Sequence, residues 1–470
     1  MTEDDLAYME LTALARAIAD REISALEVTR TLIARVSRLE PMLGAYVAVL
    51  ADSAEREAKA ADSALARGQL LGPLHGVPVA VKDLCDASGT RTIAGMPRVR
   101  GNVAPATRDA TVVARLRAAG AVLLGKLQLT EGAVAHHHPE VTAPRNPHNP
   151  NYWSGASSSG SGVAAASGLA YGTLGSDTGG SIRFPSFANG VTGLKPTWGR
   201  VSRAGVFPLA WSLDHIGPIA RSAADCAALL GAIAGYDDAD PTALAAPVPD
   251  YPSALVGDLA GLRVGFDADY ATHNVDDAIC RSLRDALETL RAAGATIVEV
   301  RFPDTGAVIE SWFPLCTAEA AAAHAATFPS QEAGYGPELR ELLSGGNATS
   351  GRDYALAHDL RQRFRGRVSR IFGDCDLLVA PAWMRQNLTL DEFAAFGARE
   401  SDWPELIRFT APFDIAGTPT LSLPAGHNAD GAPFGFQLIG PHLGETTLLR
   451  AGHAYQQATD WHRRRPPLEG

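Results

Sequence analysis

The chain has 470 residues, a formal net charge of −11 and 46% hydrophobic residues. That apolar fraction is ample for a substantial core, while the acidic balance disfavours nonspecific nucleic-acid binding, because a phosphate-tracking surface is basic. The length allows two or three average domains or one large α/β domain, and the five cysteines, Cys85, Cys226, Cys280, Cys316 and Cys375, are too scattered for a disulfide framework or a zinc knuckle.

In chain order, Met1-Thr2-Glu3-Asp4-Asp5 is acidic and lacks the positive region and apolar core of a secretory signal. With reduced thiols, this predicts cytoplasmic residence. Leu11 to Ala19 is apolar at helical spacing, and Ser24-Ala25-Leu26-Glu27 is a capping-box pattern before a helix over Val28 to Val36. Val77-Pro78-Val79-Ala80-Val81 reads as an interior strand ending at Lys82. A helix over Thr111 to Ala119 leads into a strand at Ala121 to Gly125. The uncharged stretch 146–176 is broken by prolines and crowded with Ser and Gly, which makes it a poor membrane span. Val163 to Ala170 is a small-residue segment suited to a buried helix. Pro241, Pro247, Pro249 and Pro252 mark a boundary near 240–255. Beyond it come a strand at Leu262 to Gly265, a helix over Ala278 to Ala293 and a strand at Ile297 to Val300. No internal repeat interrupts the alternation, which predicts a sheet covered on both faces.

The chemistry concentrates in two serine clusters, Gly155-Ala156-Ser157-Ser158-Ser159-Gly160-Ser161-Gly162 and Gly175-Ser176-Asp177-Thr178-Gly179-Gly180-Ser181, with Lys82 upstream. A serine hydroxyl is a weak nucleophile until a base removes its proton, and a neutral lysine can be that base. Burial disfavours the charged form of lysine, and Lys82 closes an apolar run. Taken alone, a Ser/Gly stretch reads as a linker; this one runs straight into the Val163 to Ala170 segment instead. Gly179-Gly180 lets backbone N–H groups approach a ligand, as an oxyanion hole requires.

These segments resemble the signature of the amidase signature family of serine hydrolases. Ser157 and Ser181 lie 24 positions apart, the family's spacing. Further matches are Leu74-His75-Gly76-Val77-Pro78 leading to Val81-Lys82-Asp83, Gly193 to Thr197, Gly199 to Ser202, Ser212 to Ile219 and Gly435 to Gly440. Ala156 and Ser159 stand where the family more often has glycine. The resemblance implies a layered α/β/α sandwich around a central mixed β-sheet, a single domain over 1–470. Its parts would be an N-terminal helical part (1–65), a signature core (66–240), a variable and largely helical substrate cap (241–390) and a C-terminal part of the core (391–470). It implies that Ser181 attacks the scissile carbonyl, that Ser157, held after a cis peptide bond, relays the proton to Lys82, and that the N–H groups of Thr178, Gly179, Gly180 and Ser181 surround the oxyanion. No cofactor or metal is implied. Homodimers are common in the family, which leaves a homodimer open by analogy.

Other chemistries find less support. Gly155 to Gly160 has one residue too many for a Gly-x-Ser-x-Gly elbow. Asp214 and His215 are adjacent, so their side chains point different ways and read as structural rather than as part of a Ser-His-Asp triad. Three consecutive imidazoles, His136-His137-His138, cannot readily converge on one ion; one or two of them, His137 first, would line the pocket. Arg183 reads as a structural ion-pair partner and Asp177 as an organiser of its loop. Trp312, Phe313, Phe328 and Tyr335 would wall an aromatic pocket, although aromatic residues are more often core. The resemblance ranks an aryl-amide, anilide or urea-like xenobiotic amidase first. The glutaminase subunit of an aminoacyl-tRNA amidotransferase comes second, and a catalytically dead binding scaffold third. The expected partner is a small amide, with no nucleic acid and no membrane.

Overall fold

The apolar run before Lys82 becomes a strand in the middle of one large sheet, where neighbours on both sides bury all five of its residues. The computed structural model describes residues 2–397, 399 and 402–468. Among these, the strands are β1 (Tyr46–Val49), β2 (Pro78–Lys82), β3 (Val122–Leu127), β4 (Gly172–Asp177), β5 (Thr192–Lys195), β6 (His215–Ala220), β7 (Arg263–Phe266), β8 (Thr296–Glu299), β9 (Leu377–Pro381), β10 (Thr420–His427) and β11 (Pro433–Ile439). They form a single sheet of 11 strands in the order β1-β3-β2-β4-β6-β5-β10-β11-β9-β7-β8. β2 runs parallel to β3 and β4, and β7 runs parallel to β8 and β9; the other pairs are antiparallel. The expected α/β/α sandwich with a mixed sheet is therefore the fold. Parallel strands require crossovers that cover the sheet faces, and β2, β3 and β4 are buried throughout.

Local sequence accounts for most of the flanking helices. Leu11–Ala19 forms as expected, with Leu11, Leu14 and Ile18 turned inward. Ser24 Oγ accepts the Glu27 N–H at 3.0 Å, so one half of the expected capping box forms. That helix runs from Ala25 to Leu43, beyond the predicted end at Val36, and stops at Gly44, whose φ of 62° is readily available to glycine. The helix Asp277–Ala292 buries Ile279, Leu283, Ala286, Leu287 and Leu290 on one face.

The segment 241–390 is more than a cap. It supplies β7, β8 and β9 to the sheet edge, where they pair with one another and with β11. Its helices Gly306–Ala323, Pro337–Ala348 and Gly351–Ile371 build a second apolar cluster in which Leu315, Leu339, Leu343 and Phe364 pack with Leu84, Leu129 and Leu213 of the preceding part. No described helix is long and apolar enough to cross a membrane. The five thiols are unpaired, and four of them are buried.

Candidate active site

Parallel strands place their carboxyl ends on the same side of a sheet. β2 and β4 thus bring Lys82 and Ser176-Asp177 to one edge. The first serine cluster arrives there as the turn before the helix Ser159–Ala166, which starts four residues earlier than the apolar pattern alone suggests. Only small residues fit this packing: a Cβ on Gly160 would lie 2.4 Å from the Ala45 carbonyl oxygen, and one on Gly162 would lie 2.8 Å from the Pro185 carbonyl oxygen. The Ala156–Ser157 bond is cis, as the resemblance implies.

Lys82 Nζ lies within hydrogen-bond distance of three hydroxyls, Ser157 Oγ at 2.7 Å, Ser158 Oγ at 2.9 Å and Ser176 Oγ at 2.8 Å; as a neutral amine it donates to two of them and accepts from the third. The lysine is 1% exposed and has no carboxylate in contact among the described residues. Burial pulls its pKa down to about 7, against the opposing fields of Asp177 and Asp214. Ser158 and Ser176 lie in the two clusters, but nothing in the sequence marks them as lysine partners. Ser157 is fully buried and Ser181 is partly exposed. No hydrogen bond joins their hydroxyls in this arrangement; catalytic hydrogen bonds of this kind tighten as the substrate is engaged.

The loop from Asp177 to Ser181 is fixed by its own carboxylate. Asp177 Oδ1 accepts the Gly180 N–H at 2.7 Å and Oδ2 accepts the Ile182 N–H at 2.9 Å. The Gly180 N–H, expected in the oxyanion hole, is therefore already engaged. The amides of Gly179 and Ser181 have no protein acceptor among the described residues. Thr178 gives its hydroxyl to Asp214 at 2.6 Å, and its carbonyl accepts Trp312 Nε1–H at 2.8 Å.

Arg183 closes this arrangement from behind. It is fully buried, donates to Asp177 Oδ1 at 2.8 Å and Oδ2 at 3.0 Å, and reaches Asp414 Oδ2 at 2.6 Å. Burial alone would raise the Asp177 carboxyl, but the Arg183 guanidinium and the backbone donors hold it well below the usual range. No surface of Arg183 is open to a substrate carboxylate. Arg183→Leu would strand the Asp177 carboxylate in the interior and leave the Asp414 carboxyl, which burial pushes well above the usual range, without its donor; stability in urea is expected to fall by about 3–5 kcal/mol. An unchanged denaturation midpoint would contradict this role.

In front of Ser181 opens a cleft of about 450 Å³. Its walls are mainly apolar and aromatic, from Trp153, Ala156, Phe184, Trp312, Phe313, Leu342, Trp403 and Ile407, with Glu338, Glu341 and Arg399 as the charged lining residues. Arg399 is tied to Asp402 at 2.8 Å, and Glu338 accepts the His136 N–H at 2.8 Å. Trp312 lines this cleft, but Phe328 and Tyr335 do not. They are drawn into the second apolar cluster, where Tyr335 Oη bonds with Thr327 Oγ1 at 2.6 Å. His137 is also absent from the lining; its Nε2 meets Ser159 Oγ at 3.1 Å, and burial pushes its pKa down to about 4. The three histidines diverge: His136 pairs with Glu338, His137 meets Ser159, and His138 Nδ1 accepts the Glu140 N–H. No group of three potential metal ligands occurs among the described residues. His215 is buried against Lys195 and the Asp177 carbonyl, far from the role of a triad base, and burial lowers its pKa well below the ordinary value.

Comparison with known proteins gives the family and the fold. The Amidase family pattern matches residues 27–449. The AmiD protein of Mycobacterium tuberculosis is 45% identical over 469 residues, covering 100% of this chain and 98% of AmiD. The glutamyl-tRNA(Gln) amidotransferase A-subunit of Chloroflexus aggregans is 38% identical, covering 100% of this chain and 99% of that protein. The solved structure of the native peptide amidase from Stenotrophomonas maltophilia superposes with a TM-score of 0.83 at 31% identity, covering 98% of each chain.

Proposed function

The chain belongs to the Amidase family of hydrolases that cleave amide C–N bonds, and from that premise we propose that it acts on aryl amides, anilides or urea-like compounds through an acyl-serine intermediate on Ser181. The observation that carries this reading is the conjunction of a buried lysine held by three serine hydroxyls with a partly exposed serine at the base of an aromatic-walled cleft.

In the proposed sequence, Ser157 takes the Ser181 proton and passes its own to neutral Lys82 as Ser181 Oγ bonds to the scissile carbonyl carbon. The oxyanion of the tetrahedral intermediate is met by the Gly179 and Ser181 N–H groups, and a single donor of this kind is typically worth about 2.7–4 kcal/mol. The proton returns through Ser157 to the nitrogen, the C–N bond breaks, and the amine leaves with the acyl group on Ser181. Water then gives its proton to the same relay and attacks the ester. The acid departs, and the Ser181 hydroxyl is restored.

The second reading is the ammonia-releasing component of a tRNA amidotransferase, which the end-to-end similarity to the Chloroflexus aggregans protein favours. A panel of anilides, aryl amides, ureas, aliphatic amides and glutamine, scored for amine and ammonia release, separates the two. The isolated chain is expected to turn over anilides or ureas well above glutamine. Hydrolysis of glutamine alone would transfer the assignment to the partner-dependent reading.

A further inference from the structure

We infer that Trp312 is a positioning residue for the oxyanion hole: its indole N–H fixes the peptide whose other end presents the Gly179 N–H to the reacting carbonyl. This rests on the reading of the Ser181 loop given above.

A trans peptide is planar, so its C=O and N–H point in opposite directions. Fixing one fixes the other. Trp312 Nε1 donates to the Thr178 carbonyl at 2.8 Å, which turns the Gly179 N–H to the opposite side, where no described protein group accepts it. The next peptide is pinned by the same logic. Thr410 Oγ1 donates to the Gly179 carbonyl, and the Gly180 N–H is thereby directed to Asp177 Oδ1 at 2.7 Å. The third peptide has its Gly180 carbonyl held by the Phe184 N–H at 2.7 Å, which leaves the Ser181 N–H without an acceptor among the described residues. Successive peptides in the loop are thus held from outside, and those with free N–H groups precede Gly179 and Ser181.

Trp312 also sets the conformation of this loop by contact. A Cβ on Gly179 would lie 2.9 Å from the indole Cζ2, so the ring rests directly on the glycine backbone. The residue comes from the helix Gly306–Ala323, outside the signature core, and its ring lines the substrate cleft. A side chain from the segment that shapes the cleft therefore holds one peptide of the catalytic loop, the one that presents the Gly179 N–H. Substrates that press on this wall would alter turnover as well as binding.

The test removes the N–H and keeps the ring. Replacement of Trp312 by benzothienylalanine, in which sulfur takes the place of the indole nitrogen, is compared with Trp312→Phe and with the wild type. kcat for an anilide is expected to fall about 10- to 100-fold, a fraction of the loss for a deleted donor, with KM within about threefold. The inhibition constant of an arylboronic acid, whose adduct on Ser181 places an oxygen in the hole, should rise in parallel, while binding of the carboxylic acid product should not change. A variant with unchanged kcat and boronate affinity would overturn the inference, as would losses confined to KM and product binding, which mark a simple wall. Ser181→Ala in the same assay keeps the two readings apart: if it retains activity, the nucleophile assignment fails, whereas a dead Ser181→Ala beside a fully active benzothienylalanine variant sinks only the role of Trp312.

Discussion

Ser181→Ala is expected to lower amide hydrolysis by about 10⁴-fold or more while leaving the denaturation midpoint unchanged, because loss of a nucleophile leaves only binding and oxyanion stabilisation. The separation of the two readouts follows from the geometry. Ser181 Oγ makes no hydrogen bond among the described residues, and the residue is partly exposed at the base of the cleft, so truncation removes no buried contact. Ser157→Ala should also be severe, since that hydroxyl is the relay's link to Lys82. Ser176→Ala should cost much less: it removes one of three hydroxyls around the lysine and no link to Ser181. Amine release measured on the three variants, with covalent labelling of the wild type by a sulfonyl fluoride mapped to its peptide, checks the ranking. Activity of Ser181→Ala within tenfold of wild type would eliminate the acyl-Ser181 route.

The elements legible in the sequence are those where one local signal dominates. The helix Leu11–Ala19 and the helix near Thr111 combine helical periodicity with one buried face, and the strand before Lys82 is a short continuous apolar run buried throughout. The middle segment is harder to read. Its strands β7 and β9 pair across more than a hundred intervening residues, and no local pattern announces that Leu377–Pro381 will join a sheet begun at the other end of the chain. Tertiary pairing, more than propensity, decides such strands.

At the site, side-chain chemistry is legible and side-chain direction is not. Lys82, Ser157 and Ser181 stand out because their types are costly or unusual in apolar surroundings. Tyr335 and Phe328 have the same composition signal as Trp312, yet they turn into the second apolar cluster and leave Trp312 to face the cleft. Thr410 and Asp414 are invisible for a different reason. They act through a backbone carbonyl and a buried guanidinium, contacts separated by 231 positions in the chain, and neither belongs to a motif that names a chemistry.

The acid limb of the pH profile is expected to follow Lys82. Burial brings its pKa from the ordinary lysine value to about 7, so the neutral base becomes populated as pH rises through that value. With chemistry rate-limiting, turnover should climb about tenfold per pH unit below about 7 and level off above it. The same shift has a thermodynamic signature. Between about 7 and the unfolded lysine value near 10.4, the unfolded chain carries a proton that the folded chain has released. Folding stability should therefore increase with pH across this window, by up to about 1.4 kcal/mol per pH unit from this residue. Conversely, the contribution present above the unfolded pKa is lost as pH falls through about 7. Lys82→Met should abolish turnover and flatten this part of the stability curve together, while the cost of burying the ammonium near neutral pH is relieved. Urea titrations of both proteins at several pH values, beside pH–rate profiles of the wild type, measure the two effects. A flat rate profile from mildly acidic to alkaline pH, with an unchanged stability slope in Lys82→Met, would mean that the lysine stays protonated and that another group is the base.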